Sequence, residues 1–377
     1  MRKIKLTLFE DKFGVGGIEK FIYNVCSHIN REKYDIKIVV INKISNYYDE
    51  LLKSLGVELV VLIPGVELNP LKRFRIGLPA FNDYLKKKEN KCDIIHFNLS
   101  DSIDLLYVKV AKINGIKRRV VHSHNSSATS TPKKIIHYLG KVFLSNESNY
   151  YLACSSQAAK WLFPKKVYAN KKYLFVRNAI NTKKYKYNFS TREKIRKKYD
   201  WSDNVIYGEV ARFNKQKNHK FLIEIFQQIK KIQPTAKLIL VGEGELLDDL
   251  KKQVNESNLS NSVIFFGVSN QVSDLLQAFD VFMLPSFYEG LPFVLVESQA
   301  ASLPALISDN ITKEVNITDY LTYFSLNSSS SDWAKEAINI SNRARYENNT
   351  LDKTGFNIDI MVRKLDEFYT NICTQTE

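Results

Sequence analysis

Two glutamates eight residues apart, Glu289 and Glu297, stand in the run SFYEGLPFVLVESQAA at 286–301. Gly290 leaves the backbone unencumbered just before Pro292, and proline suits the first turn of a helix. A helix starting there presents backbone N–H groups and the positive end of its dipole, a favourable seat for a phosphate. Glu297 then lies roughly a turn and a half inside that helix, where its carboxylate can accept from a vicinal diol such as a ribose. Glu289, on the preceding loop, can accept from sugar hydroxyls, and charged acceptors make the stronger hydrogen bonds. The same spacing also suits two surface glutamates flanking an ordinary helix.

Other segments carry compatible chemistry. In EVARFNKQKNH at 209–219, Arg212 and Lys217 follow an apolar strand and precede a helix. Two cations there can neutralise a departing diphosphate, although a solvated basic loop has the same composition. Gly14-Val15-Gly16-Gly17 lets a phosphate approach the backbone, but Glu19 stands where a dinucleotide loop needs its last glycine, so a nicotinamide site is not expected. His122 and His124 end another strand. Either ring can bind a hydroxyl or phosphate or be purely structural, and no carboxylate or cysteine nearby in sequence completes a metal site.

The elements that must position these groups alternate. Short apolar runs at 3–9, 36–41, 57–63, 93–97, 119–124 and 150–155 suit buried parallel strands, and helical spacing lies between them, as at 18–29 and 102–113. The polar, basic stretch 180–199 shows no core pattern in its first part and reads as an interdomain connection. Strands follow at 205–211, 237–242, 262–267, 280–285 and 304–308, with helices at 218–231, for which Asn218 is the expected N-cap, and at 245–255. Two such arrays predict two doubly wound α/β domains, each binding ligands at the carboxyl ends of its strands and together facing a central cleft. The last helix, 358–372, packs either on its own domain or on the first.

The 377 residues suffice for two domains, and 44% hydrophobic with 25% charged residues is a soluble, globular balance. No apolar run reaches membrane-spanning length, and the start MRKIKLTLFED runs too soon into acids for a signal peptide, so a cytoplasmic protein is expected. Cys26, Cys92, Cys154 and Cys373 are scattered, which points to reduced thiols. The net charge of +15 is uneven: residues 1–180 carry 31 Lys and Arg against 15 Asp and Glu, and residues 181–377 carry 24 against 25. A basic first half fits an anionic partner or a merely lysine-rich surface. Nucleic acid is not expected, since neither an RNA-binding aromatic pattern nor zinc-finger spacing is present.

In this order, GVGGIEKF, VVHSHNSS, VRNAIN, ARFNKQKN and SFYEGLPFVLVESQAASLP resemble glycosyltransferase family 4, the retaining enzymes of GT-B fold, and within it the enzymes of capsule and exopolysaccharide synthesis. VRNAIN departs from the family's pattern, with Ala179 and Asn181 for its Gly and Asp, and is assigned no binding role. The resemblance implies a hexosyltransferase that needs no metal or cofactor and takes an NDP-sugar, UDP before GDP, as co-substrate. It implies an acceptor-binding domain at 1–182, a nucleotide-sugar domain at 183–357, and a C-terminal helix, 358–377, packing back on the first. Catalytic roles fall on His124 (His122 second), Glu289, Arg212 and Lys217. Donor binding adds Gly16 and Gly17, the strand-end residues Gly242, Gly267 and Val268, then Gly290, Leu291, Pro292, Phe293 and Val294, and Glu297. The implied acceptor is a lipid-linked or oligosaccharide glycan. The basic first half then meets the anionic inner face of the plasma membrane, with the protein peripheral to it. An NDP-sugar epimerase of the same fold and a non-catalytic sugar-nucleotide-binding subunit are the alternatives.

Overall fold

The computed structural model describes residues 2–65, 70–127, 131–144 and 146–374. The chain divides into two compact units, Met1–Ala179 with Ile358–Glu377, and Ile180–Asn357. Residues 375–377, the end of the segment expected to pack back, lie outside the described residues.

In the first unit the apolar runs form parallel strands β1 (Ile4–Phe13), β2 (Tyr34–Lys43), β3 (Glu58–Val61), β4 (Ile94–Leu99), β5 (Arg118–Ser123), β6 (Tyr150–Ala153) and β7 (Leu174–Phe175). Their order is β3-β2-β1-β4-β5-β6-β7. Connections therefore leave β1 and β4 toward opposite edges, and the sheet's switch point lies between them. Phe9, Phe81, Phe97 and Tyr107 pack together in the core, with the Phe9 and Phe81 ring centroids 4.8 Å apart.

The second unit repeats the plan with β8 (Ile206–Val210), β9 (Lys237–Val241), β10 (Val263–Gly267), β11 (Val281–Leu284), β12 (Ala305–Ser308) and β13 (Leu321–Phe324). The order β10-β9-β8-β11-β12-β13 puts its switch point between β8 and β11. All strand pairs are parallel, as the uninterrupted apolar runs require. The pattern reading does not contain the edge strands β7 and β13. Each is short and only partly buried, so it lacks the apolar run that marks a central strand.

The stretch 180–199 folds into the second unit, with helices Thr182–Tyr185 and Phe189–Lys198. Charge holds it there. Arg192 and Arg196 both pair with Asp280, Arg196 at 3.1 Å, and the same carboxylate accepts from the backbone N–H of Ile206 at 2.7 Å. A segment anchored by guanidinium groups shows no apolar periodicity.

Helix Ile358–Thr374 belongs to the first unit. It buries Ile358, Met361, Val362, Leu365, Tyr369 and Ile372, the spacing of one helical face. Tyr34 donates to Asp366 Oδ1 at 2.7 Å, and Arg118 Nε donates to the carbonyl of Ile372 at 2.5 Å. The Tyr369 hydroxyl lies 2.5 Å from His96 Nδ1.

Two stability predictions follow from this packing. Leu365 is fully buried, so Leu365→Ala should cost about 3 kcal/mol. Hydrogen exchange should show that loss in β2 and β4 rather than in the second unit that precedes the helix in sequence. At Gly208, in the middle of β8, a Cβ would fall 2.2 Å from the Phe279 ring. Gly208→Ala should lower stability by roughly 2–3 kcal/mol through overpacking, with faster exchange in β8, β9 and β11.

Candidate active site

In the second unit, the loops after β8 and β11 flank the switch point and are stapled together. Lys217 Nζ donates to Glu289 Oε1 at 2.6 Å. Gln216 Nε2 donates to the carbonyl of Tyr288 at 2.9 Å and to Glu289 Oε2 at 3.3 Å. The N–H of Phe287 donates to the carbonyl of Gln216 at 2.9 Å. Asn218 Nδ2 donates to the carbonyl of Pro285 at 3.1 Å. Asn218 does stand at the start of helix His219–Ile232, but with φ 59° its side chain turns to the neighbouring loop and makes no cap bond. Asn214 caps the turn before it, accepting from the N–H of Lys217 at 3.2 Å.

Arg212 is separate from this pair. Its guanidinium is about 39% exposed and lies 3.4 Å from Glu245. Its backbone is set by a close approach between the chains that leave β8 and β9. Phe213 donates to the carbonyl of Glu243 at 2.8 Å. A Cβ on Gly242 (φ 143°) would lie 2.0 Å from the carbonyl oxygen of Ala211, and one on Gly244 (φ 159°) 2.4 Å from that of Phe213. Gly242 therefore shapes the Arg212 loop. Gly267 (φ 77°) ends β10 with open space around it, Val268 follows, and the Gly267 carbonyl accepts from the N–H of Gly242 at 2.9 Å.

The helix after Glu289 runs Phe293–Ala300, with Pro292 at its N-cap rather than in its first turn. Helix ends shift by a residue or so with local geometry; here φ −73° and ψ 125° hold Pro292 in the extended region. Gly290, Leu291, Phe293 and Val294 are buried around this start. Every residue of the helix is buried, and Glu297 is about 1% exposed. Glu297 is thus no surface residue, and neither is Glu289 at about 5%.

Beneath the stapled loops, Glu209 on β8 lies 3.1 Å from His219 Nε2, both fully buried. Burial drives the Glu209 carboxyl well above its ordinary range, opposed by Lys217 and reinforced by Glu289. Burial, and then Lys217, lowers the His219 ring to about 3. Both groups are therefore held in their uncharged forms. Pattern reading does not single out Gln216, Glu209 or His219, although all three lie in the segment that carries Arg212 and Lys217.

In the first unit, Glu19 folds back over the glycine loop and accepts from the N–H of Gly14 at 2.6 Å. A Cβ on Gly16 would meet the same carboxylate at 2.8 Å, and Gly17 opens the helix Gly17–His28. Three histidines line up across β4 and β5. The rings of His96 and His122 are 5.3 Å apart and those of His122 and His124 4.0 Å apart, with Phe21 packed edge-on to His122. His124 Nε2 lies 3.0 Å from Asn98 Oδ1. His122 is fully buried, whereas His124 is partly exposed. Burial lowers all three rings, His96 and His124 to about 3, so they are neutral. On β1, Asp11 pairs with Arg73 at 2.7 Å, and burial with mutual repulsion raises Glu10, Asp11 and Asp104 above the usual carboxylate range.

Residues 15–184 match the profile of Glycosyltransferase Family 4, and residues 191–350 match that of Glycosyl transferases group 1. EpsF of Bacillus subtilis (strain 168), named as a glycosyltransferase, is 28% identical over 96% of this chain and 95% of its own length. An Escherichia coli protein, UDP-Gal:alpha-D-GlcNAc-diphosphoundecaprenol alpha-1,3-galactosyltransferase, is 24% identical over 81% of this chain and 80% of its own. Among solved structures, HepE of Anabaena in complex with UDP-glucose superposes with a TM-score of 0.76 at 16% identity, covering 98% of this chain and 100% of that one. The likeness in fold extends over almost the whole length of both chains. The chain is a glycosyltransferase of GT-B fold, related to the Family 4 and group 1 glycosyltransferases.

Proposed function

We propose that this protein is a retaining, metal-independent hexosyltransferase. In this reading it moves a sugar from a UDP-sugar to a lipid-linked glycan at the inner face of the plasma membrane, in capsule or exopolysaccharide assembly. The observation that carries the reading is the contact of Lys217 with Glu289 at the switch point of the second sheet, where α/β folds bind ligands. The E. coli relative is named for a UDP-sugar donor and a diphosphoundecaprenol acceptor, and HepE is named with UDP-glucose bound. Both names support the choice of donor, and the first supports the choice of acceptor.

The nucleotide-sugar rests on 183–357, and the acceptor on 1–182 with 358–377. Glu297 accepts from the ribose. An ammonium carries three donors, so Lys217 can keep Glu289 and still bind a diphosphate oxygen. Arg212, 3.4 Å from Glu245, supplies the second cation. Glu289 orients the sugar, and the backbone around Gly16, Gly17 and Gly290–Val294 receives phosphate oxygens. His124, neutral, binds a donor hydroxyl. The acceptor hydroxyl attacks on the face the phosphate leaves, giving its proton to the departing phosphate oxygen, so the anomeric configuration is retained.

The first test is a thermal-shift screen against UDP, GDP, ADP and CMP, with and without Mg²⁺. A nucleotide at a hundredfold excess over its Kd should add about 2.7 kcal/mol of stability. A shift with UDP that is indifferent to Mg²⁺, followed by acceptor-dependent release of UDP, is the expected result. Turnover of donor without acceptor would favour an epimerase, and binding without release a non-catalytic subunit.

The two cations should separate. Arg212→Ala should lower kcat/KM by roughly 2–4 kcal/mol and leave stability nearly unchanged, because its ion pair is exposed. Lys217→Ala should lose comparable activity and also about 3 kcal/mol of stability, since it removes the cation that neutralises the buried Glu289. Equal stability of the two variants in urea would contradict this assignment.

The pH profile is a further check. The His124 ring is lowered to about 3, so its neutral form is lost only as pH falls toward that value. Between about pH 5 and 8, where an ordinary histidine titrates, kcat/KM should show no limb that disappears in His124→Asn. Such a limb would mean that the ring works as a proton donor.

A further inference from the structure

Helix Thr131–Leu144 is amphipathic in the inverted sense. Its outward arc is entirely apolar: Ile135, Ile136, Tyr138, Leu139, Val142 and Phe143 are all at least half exposed, Phe143 by 75%. Its inward face carries the polar His137 and the small Gly140, with Leu144 packed on the core at its end. His137 is buried, accepts from the N–H of Ser102 at 3.1 Å through Nδ1, and stacks on Trp161 with ring centroids 3.5 Å apart. The Ser102 hydroxyl donates to the carbonyl of His137 at 2.5 Å. At Gly140 a Cβ would lie 2.5 Å from the Ser102 hydroxyl oxygen, so the helix sits hard against the loop after β4. A helix on a water-facing surface normally turns such a face inward, and a contiguous exposed apolar patch marks a contact site.

The surroundings of the patch are cationic. Between Lys133 and Arg177 the sequence carries nine Lys and Arg against one acid, Glu147. Lys141 donates to the carbonyl of Lys160, and its Nζ lies 5.3 Å from the Tyr168 ring centroid, which brings helices Ser156–Leu162 and Lys165–Tyr168 alongside. Lys133, Lys134, Lys160, Lys165 and Lys166 are exposed there. A second copy seated on this face would bring its own lysines against these. An anionic surface with an apolar interior satisfies both features, and that is the chemistry of an acidic lipid bilayer.

We infer that helix Thr131–Leu144 is a bilayer-seating element, with its apolar arc sunk into the interface and the flanking lysines on anionic headgroups. This rests on the reading above only in its purpose, to bring a lipid-linked acceptor to the carboxyl end of the first sheet. The same helix is tied to the Ser102 loop, whose neighbour Asp104 interacts with Asp11 of β1. This helix is the element that inserts, and apolar burial, as well as charge, holds the protein on the membrane.

The test is co-sedimentation of the full chain with phosphatidylcholine vesicles containing about one third phosphatidylglycerol, first at low salt. It is repeated at about 1 M salt, where the Debye length is about 3 Å and charge is screened. Wild type should weaken in high salt but keep a salt-resistant fraction. Ile136→Ser with Phe143→Ser should reduce that fraction by about tenfold or more, while far-UV circular dichroism and the nucleotide thermal shift stay unchanged. Lys165→Gln with Lys166→Gln should weaken only the low-salt binding. Binding of the serine variant equal to wild type at high salt overturns the inference. So does a wild-type dimer in sedimentation velocity that becomes monomeric in the serine variant, because the face then covers a second copy. Sugar transfer to a short-chain, water-soluble acceptor should be the same in wild type and the serine variant. Absence of transfer in both, with salt-resistant vesicle binding intact, would refute the glycosyltransfer reading and leave this one standing.

Discussion

A parallel sheet covered on both faces has almost no room for polar side chains along its strands. Polar groups gather in the loops at the carboxyl ends, and a gap opens between the two loops whose connections leave in opposite directions. In the second unit that constraint arranges the rest. The loops after β8 and β11 meet at the gap, and Lys217 and Glu289 close it with one short ion pair. Gly242 and Gly244 are needed because the chain leaving β9 runs against the backbone of Ala211 and Phe213. The helix from Phe293 is buried on all sides, with Ser298 and Gln299 donating to the carbonyl of Leu295, and a carboxylate such as Glu297 is costly to keep inside it.

Several of the buried titratable groups answer burial in the same way, by giving up charge. Glu209 is driven toward its protonated form and His219 toward its neutral one, and they lie in contact. In the first unit Glu10 and Asp104 are raised while His96, His122 and His124 are lowered. The carboxyl end of a strongly basic unit is therefore lined with neutral hydrogen-bonding groups. The unit's positive charge lies outside, on lysines such as Lys160, Lys165 and Lys166. Buried neutral groups and surface charge are thus separated within one unit.

The helix Ile358–Thr374 is held on the first unit through Tyr369, Leu365 and Asp366. Tyr369 reaches His96, which itself packs on His122 and through it on His124. The far end of the sequence thus helps fix the ring nearest the surface, and the first unit is incomplete without it.

Periodicity and composition determined the central strands, the helices between them, the two-array plan and the segments bearing Arg212, Lys217, Glu289, Glu297 and His124. These are local properties, written in the spacing of neighbouring residues. The edge strands β7 and β13 were illegible because half-exposed strands need no apolar run, and helix Phe189–Lys198 because Asp280 holds it by charge. Only the tertiary structure decided that Lys217 meets Glu289 across 72 residues, that Asn218 serves the neighbouring loop, and that His96 joins the histidine row. It also decided that the apolar face of helix Thr131–Leu144 points outward. A sequence pattern specifies that a helix has two faces; which one meets the protein depends on what the rest of the chain packs against it.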